Sequence, residues 1–234
     1  MTAKAATTDT ADIRTPPIHP MPFVRIELAV LSVMEGALQV LLGRRAEAPM
    51  AGHWALPGGV LRIDLDADLD GACQRTARER LGIELPGAMQ LAAVGGRSRD
   101  PRAPWALSVV YRCMVTPGRL AVEPGKRMAE LKWVPADAAI ADDKLAFDHG
   151  RLIDKAVQSL RAEVEVLRFA PGLMEQAFTL GELQAASEAV LGRPLDKSSF
   201  RRRLDAAGCV KPVPGELRTG AFRPAQLYRL ELQH

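Results

Sequence analysis

From Trp54 to Ile83 the chain runs W-A-L-P-G-G-V-L-R-I-D-L-D-A-D-L-D-G-A-C-Q-R-T-A-R-E-R-L-G-I, and no other stretch restricts the fold as much. A short apolar strand meets a Gly-Gly turn. An acidic loop follows, and an amphipathic helix then stops at Gly82. On that helix Arg75, Thr76, Glu79 and Arg80 stand at i, i+1, i+4 and i+5. At about 100° per residue they form one stripe.

The stretch resembles a Nudix box, whose pattern is a glycine, a glutamate, and then Arg-Glu-x-x-Glu-Glu-x-Gly on the helix. Three glutamates on one helical face suit a hard divalent cation, which takes oxygen ligands and activates water against a pyrophosphate. Here the matching run is Arg75-Thr76-Ala77-Arg78-Glu79-Arg80-Leu81-Gly82. Thr76 stands where the first glutamate belongs and Arg80 where the last belongs, so Glu79 alone remains. The loop between Gly59 and Arg75 is two residues longer than the family's spacing, and Asp66 and Asp68 are the nearest stand-ins for its glutamate. One carboxylate beside an arginine is a poor Mg²⁺ site, because the guanidinium repels the cation. The same arginine favours phosphate oxygens. The expected site therefore holds a pyrophosphate without cleaving it, with no metal or other cofactor required. The alternatives are a hydrolase with relocated ligands and an ordinary charged surface helix.

At 234 residues the chain has room for one large domain or two small ones. A net charge of +3 does not by itself argue for nucleic acid. Cys73, Cys113 and Cys209 are far apart and form no C-x-x-C pair, which fits a reducing compartment without a disulfide framework or zinc site. No apolar run approaches the roughly 18 residues that span a membrane, and no signal-peptide core opens the chain. A cytoplasmic protein with no membrane partner is expected.

Residues 1–22, rich in Thr, Ala, Asp and Pro, are expected to form a flexible arm. From Phe23 the period is two, with Val24, Ile26, Leu28 and Val30 alternating with Arg25, Glu27 and Ala29. Glu35-Gly36 marks a turn, and Leu38, Val40 and Leu42 resume the pattern, so a β-hairpin is expected. It ends at Gly43-Arg44-Arg45, where Arg44 and Arg45 either hold phosphates or close a solvated strand. Met89–Val94, Leu107–Val115 and Glu130–Val134 read as further strands, with a basic loop from Gly95 to Arg102. A helix is expected from Lys144 to about Leu167, with Leu152, Ile153, Ala156, Val157, Leu160 and Val164 as its apolar stripe and Asp148 as N-cap. These elements predict a mixed-sheet α/β/α sandwich.

Phe169-Ala170-Pro171-Gly172 breaks the pattern. We therefore expect one domain over residues 23–168 and a second over 169–234. Thr179-Leu180-Gly181-Glu182 is a capping box that starts a helix closed by Gly192. A second helix runs from Asp196 to Ala207, closed by Gly208, and the pair suggests a helix-turn-helix. Phe200 and Leu204 anchor the second helix. Lys197, Ser198, Arg201 and Arg202 fall on its outer arc, while Arg203 flanks the anchor and either binds phosphate or pairs internally. Cys209–Val213 and Leu227–Leu232 read as the strands of a wing, whose tip offers Arg218 and Arg223 to phosphates or the minor groove. A basic face of this kind is either a DNA-reading surface or a merely solvated one.

A Nudix-like domain followed by this winged helix resembles one family, the Nudix-related transcriptional regulators called NrtR. The most specific match is F-T-L-G-E-L-Q-A-A-S-E-A-V-L-G-R-P-L-D-K-S-S-F-R-R-R-L over residues 178–204. Arg223-Pro224-Ala225-Gln226-Leu227-Tyr228, Ala146-Phe147-Asp148-His149 and Arg99-Asp100-Pro101-Arg102 also match family phrases. The resemblance implies an α+β protein, a Nudix-type sandwich followed by a winged helix-turn-helix domain. It implies a homodimeric repressor that binds a palindromic operator in double-stranded DNA, often at genes of NAD synthesis or salvage. ADP-ribose or a related nucleotide is the implied effector. The site residues that follow are Arg44, Arg45, Trp54, Leu56, Gly58, Gly59, Arg80, Arg99, Arg102, Phe147 and His149 for the effector. For DNA they are Lys197, Ser198, Arg201, Arg202, Arg203, Arg218, Arg223 and Gln226. Ser198-Ser199 departs from the family's more basic pair, so different operator bases are expected. The competing reading is a nucleoside-diphosphate hydrolase with an accessory C-terminal domain.

Overall fold

The computed structural model describes residues 21–118, 121–218 and 224–231; the expected arm up to residue 20, the wing residue Arg223 and Leu232 of the expected last strand lie outside them. The first strand, β1 (Phe23–Met34), and β2 (Ala37–Arg45) form the expected hairpin. Its turn residues Glu35 and Gly36 both have positive φ, 52° and 74°. A two-residue loop of that kind matches the twist of antiparallel strands. Next come β3 (Trp54–Ala55), β4 (Gly58–Val60) and the box helix α1 (Leu69–Leu81). The strands β5 (Met89–Arg97), β6 (Trp105–Met114) and β7 (Met128–Pro135) complete one seven-stranded sheet. Its order is β3-β2-β1-β6-β5, with β4 beside β1 and β7 beside β2. Only β1 and β6 run parallel, so the sheet is mixed.

Helices cover both faces of this sheet. Ile26, Leu28 and Val30 of β1 share a buried cluster with Ala72, Ala77 and Leu81 of α1. Their neighbours Ala29 and Leu31 belong to a second cluster with Leu152, Ile153, Ala156, Val157 and Leu160. Those five residues lie on α3 (His149–Glu165), which follows the short α2 (Ala136–Ala141). Alternation in β1 therefore does not separate a dry face from a wet one. Both faces are buried, and Arg25 and Glu27 are inside, at 8% and 1% exposure.

Two other expectations are corrected. The helix expected from Lys144 begins at His149, and the chain before it turns through Phe147 at a φ of 57°. Asp148 sits at the N-cap position but makes no capping hydrogen bond, because Arg99 holds its carboxylate. The basic loop after the fifth strand is also shorter than expected. Gly95, Gly96 and Arg97 pair with Leu107, Ala106 and Trp105, and the Trp105 ring lies where a side chain on Gly95 would be.

The C-terminal part has its own core of Phe178, Leu183, Phe200, Leu204 and Cys209. In α4 (Leu180–Leu191) the capping box is complete, and Gly192 ends the helix at a φ of 69°. Asp196 caps α5 (Lys197–Ala207), and Gly208 closes it. A two-stranded wing follows, β8 (Val210–Arg218) paired with β9 (Ala225–Leu230). The other face of α4 is not free: Ala186 and Val190 join the cluster around α3. The architecture is the expected one, an α/β/α sandwich followed by a winged helix-turn-helix.

Candidate functional site

The box helix supplies the first wall. Thr76 is fully buried with no partner for its hydroxyl, and Gly59 packs against it. Asp66 accepts two hydrogen bonds from Arg75, at 2.6 and 2.8 Å, and one from the Arg62 amide. Asp68 is the helix N-cap. The two stand-ins for the loop glutamate are thus spent on local structure, which corrects that expectation. Glu79 lies 3.4 Å from Arg75. Among the described residues no group of three His, Cys, Asp or Glu side chains is placed to hold a metal ion. The other carboxylate of this helix, Asp70, accepts from the Tyr111 hydroxyl at 2.6 Å, and Glu79, paired and beside a guanidinium, does not fit a divalent cation.

What gathers instead is arginine. Arg25, Arg45, Arg80, Arg102 and Arg127 line one small depression with Glu47 and Gly58. Arg25 is paired with Glu27 at 2.6 Å, Arg102 with Asp100, and Arg127 with Glu47 at 3.2 Å. Arg45 and Arg80 have no carboxylate partner among the described residues. Arg45 donates to the Pro49 carbonyl at 2.7 Å. Arg80 donates to the carbonyls of Gly58 and Lys126, at 2.8 and 2.7 Å. Burial, then the charges of Arg25 and Arg102, lower the Arg45 pKa; burial is also the largest cause for Arg80. Arg80 is buried and Arg45 half-buried, each beside other arginines and without an ion-pair partner among the described residues, an arrangement that is costly unless an anion joins it. The free space is about 30 Å³, roughly one water's share of liquid volume, so an anion enters only as these side chains swing aside.

A second depression adjoins the first through Arg25 and holds Arg99, Asp100, Phe147, Asp148 and His149. The Phe147 ring lies 5.1 Å from the Arg45 guanidinium and 6.0 Å from that of Arg25. His149 is buried, and its Nδ1 accepts the Leu56 amide at 2.9 Å. Its Nε2 is 3.9 Å from a Glu27 oxygen. The other Glu27 oxygen has no partner, and it sits where a side chain on Gly58 would have to go. Burial lowers the His149 pKa, against the pull of Glu27. A group depressed in the fold favours folding above its unfolded pKa of 6.5 and loses that contribution as pH falls. The urea midpoint should therefore drop between pH 7 and pH 5, by up to about 1.4 kcal/mol of stability per unit. Asp100 and Asp148, held below the ordinary carboxylate value by Arg102 and Arg99, do not act in that window. A His149→Gln variant with an unchanged pH slope there would overturn this assignment.

The expected effector residues are thus only partly assembled. Arg45, Gly58, Arg80 and Arg102 meet in one depression, and Arg99, Phe147 and His149 in its neighbour. Leu56 and Gly59 are buried supports. Arg44 and Trp54 do not join them. Consecutive strand residues face opposite ways, so Arg44 turns to Glu130 at 3.1 Å and Trp54 receives Lys132 at 3.9 Å. Arg25, Glu27 and Arg127 were not singled out from the sequence, because a polar residue alternating with apolar ones reads as solvent-facing. A larger cavity, about 810 Å³, lies elsewhere, between Pro171–Ala177 and the wing.

On the C-terminal side, Lys197, Ser198, Arg201 and Arg202 are exposed along α5, with no ion pair among the described residues. Three other expected DNA contacts are engaged within the chain. Arg203 donates to the Glu165 carbonyl. Arg218 turns back to the Ala177 carbonyl and Glu182. Gln226 spends its amide on the carbonyls of Val213, Glu216 and Leu227, inside the wing.

Comparison with known proteins matches residues 25–156 to the NUDIX domain and residues 171–230 to the NrtR DNA-binding winged helix domain. A relative in Acinetobacter baylyi, the ADPR responsive transcriptional repressor NtrR, is 35% identical over 92% of this chain and 84% of its own. The structure of Shewanella oneidensis NrtR complexed with a 27mer DNA is 31% identical, with a TM-score of 0.75 over 89% of this chain and 93% of that one. The NUDIX domain of the same Shewanella protein, complexed with ADP ribose, matches 61% of this chain and 90% of its own with a TM-score of 0.55 and 29% identity.

Proposed function

Because this chain belongs to the NrtR family of Nudix-related transcriptional regulators, we propose that it is an ADP-ribose-responsive transcriptional repressor. The observation that carries this is a basic helix face without ion pairs among the described residues, seated on a sandwich in which two of five clustered arginines, Arg45 and Arg80, likewise lack a carboxylate partner there. The first suits DNA phosphates. The second suits a pyrophosphate. We assign residues 23–168 to effector binding and 169–234 to DNA binding, with an arm before them. The protein acts as a homodimer on a palindromic operator in the cytoplasm, at genes of NAD or related cofactor metabolism.

The sandwich binds its nucleotide without hydrolysing it and needs no cofactor. Thr76 in place of a carboxylate removes a metal ligand, and the guanidiniums of Arg45 and Arg80 supply the positive charge that a cation would otherwise bring. Arg25, Arg102 and Arg127 surround the same anion, and Phe147 offers a ring beside it. The test is binding to DNA from upstream of its own gene, titrated with ADP-ribose in EDTA and again in Mg²⁺. Relief of DNA binding should be equal in both, with no AMP released. A strict Mg²⁺ requirement would remove the arginine assignment. Steady hydrolysis without any DNA shift would make the protein an enzyme.

A further inference from the structure

The helix α3 has 17 residues, about 25 Å at 1.5 Å per residue. Its first turn belongs to the arginine cluster. Asp148 takes hydrogen bonds from Arg99 at 2.9 and 2.6 Å, and His149 receives the Leu56 amide at 2.9 Å. Its last turn belongs to the winged helix. The Glu165 carboxylate holds Arg193 at 2.6 Å, and its carbonyl holds Arg203 of the recognition helix. Between the two ends, Arg161 donates to the Val190 carbonyl at 2.9 Å, and Val190 is buried in the same cluster as Val157 and Leu160. The residue that leads into the rod is Phe147, whose φ of 57° is a conformation that bulky side chains rarely adopt. Its ring lies beside Arg25 and Arg45.

We propose that α3 is a lever carrying effector occupancy to the recognition helix, tripped at Phe147 and read out through the grip of Glu165 on Arg193 and Arg203. The proposal rests on the reading above that the arginine cluster takes the effector's pyrophosphate. An anion in so small a depression draws Arg45, which has no carboxylate partner among the described residues, away from the Phe147 ring. Phe147 then relaxes out of the left-handed region, and the start of α3 moves with it. A pivot of about 5° at one end of a 25 Å rod displaces the other by about 2 Å. That separates a hydrogen-bonded pair and shifts two recognition helices off half-sites spaced about 34 Å apart or a multiple of it. The effector favours the shifted state because it binds that state more tightly. Arg203 is here a positioning residue and not a DNA contact.

The experiment measures, on the full chain, the fold by which saturating ADP-ribose raises the Kd for its upstream DNA. The same titration is repeated at several salt concentrations, and ADP-ribose affinity is measured separately by calorimetry. In the wild type the coupling should be on the order of 5–150-fold. In R193A/R203A it should fall below about 2-fold, while ADP-ribose affinity and the salt slope of DNA binding stay unchanged. Glu165→Ala, at a half-exposed pair, keeps the test usable if the double variant does not fold, and should lose part of the coupling. A variant as responsive as the wild type overturns the lever. So does a salt slope lowered by about one per arginine, which would make these residues phosphate contacts. A wild type indifferent to ADP-ribose would instead sink the functional reading, and the lever with it.

Discussion

Replacing Arg201 and Arg202 together with alanine should weaken operator binding by about 100-fold and leave ADP-ribose affinity untouched. Both side chains are exposed on α5, Arg202 opposite and Arg201 flanking Phe200 and Leu204, the two buried residues that seat the helix. Neither is paired among the described residues, so neither has another task in the fold. Two charge-assisted hydrogen bonds at about 1.5 kcal/mol each amount to about 3 kcal/mol, or roughly 100-fold. The salt dependence should fall as well, by about one unit of slope for each lost phosphate contact. Thermal stability should hold, since surface changes without buried partners stay within about 0.5 kcal/mol. A double variant that binds DNA as the wild type does would move the interface off this helix. One that loses both DNA and ADP-ribose would end the separation of roles.

Gly58→Ala should cost about 3 kcal/mol, at the upper end for overpacking a filled interior. A methyl group there would lie 1.9 Å from a Glu27 oxygen and 2.8 Å from the Ile26 carbonyl. The first of these cannot retreat, because Glu27 is buried and held by Arg25 at 2.6 Å. The second is the backbone of β1, which pairs with Gly58 and Gly59. For a domain of this size the loss lowers Tm by about 6–12 °C. Gly36→Ala provides the contrast: its φ is 74°, but nothing lies within 4 Å, so only the backbone cost of about 1 kcal/mol applies. Equal Tm values for the two variants would show that the crowding around Glu27 is not what requires glycine. The partial rescue expected from Glu27→Ala in the Gly58→Ala background is a second check, since it clears one of the two clashes.

Much of the fold was legible because its signals are local. Thr179 with Glu182, Asp196, and the glycines at 82, 192 and 208 act within one helical turn, and each does what its spacing implies. The hairpin turn at Glu35-Gly36 is legible for the same reason. The short helix α2 was missed, since six residues carry too little periodicity to register. The start of α3 was expected at Lys144, ahead of Asp148, which does stand at the N-cap position but makes no capping hydrogen bond. Its carboxylate is drawn instead to Arg99, 49 positions away.

The candidate sites divide along the same line. Sequence alone determined that Thr76 and Arg80 share a helical stripe with Glu79, and that Lys197, Ser198, Arg201 and Arg202 stand on one helix seated by Phe200 and Leu204, because residue type and helical phase are intrinsic to the chain. It also carried the two-part architecture, through periodicity, caps and breakers. Only the tertiary structure decided which arginines are neutralised by a partner and which have none among the described residues. Arg203, Arg218 and Gln226 look equal to their basic or polar neighbours until Glu165, Glu182 and the wing carbonyls are brought against them. Arg25 and Glu27 look like a wet strand face until α3 covers it. The physical reason is range. A helical phase is set over about four residues, whereas a charge's environment is set by whichever distant groups folding places within a few ångströms of it.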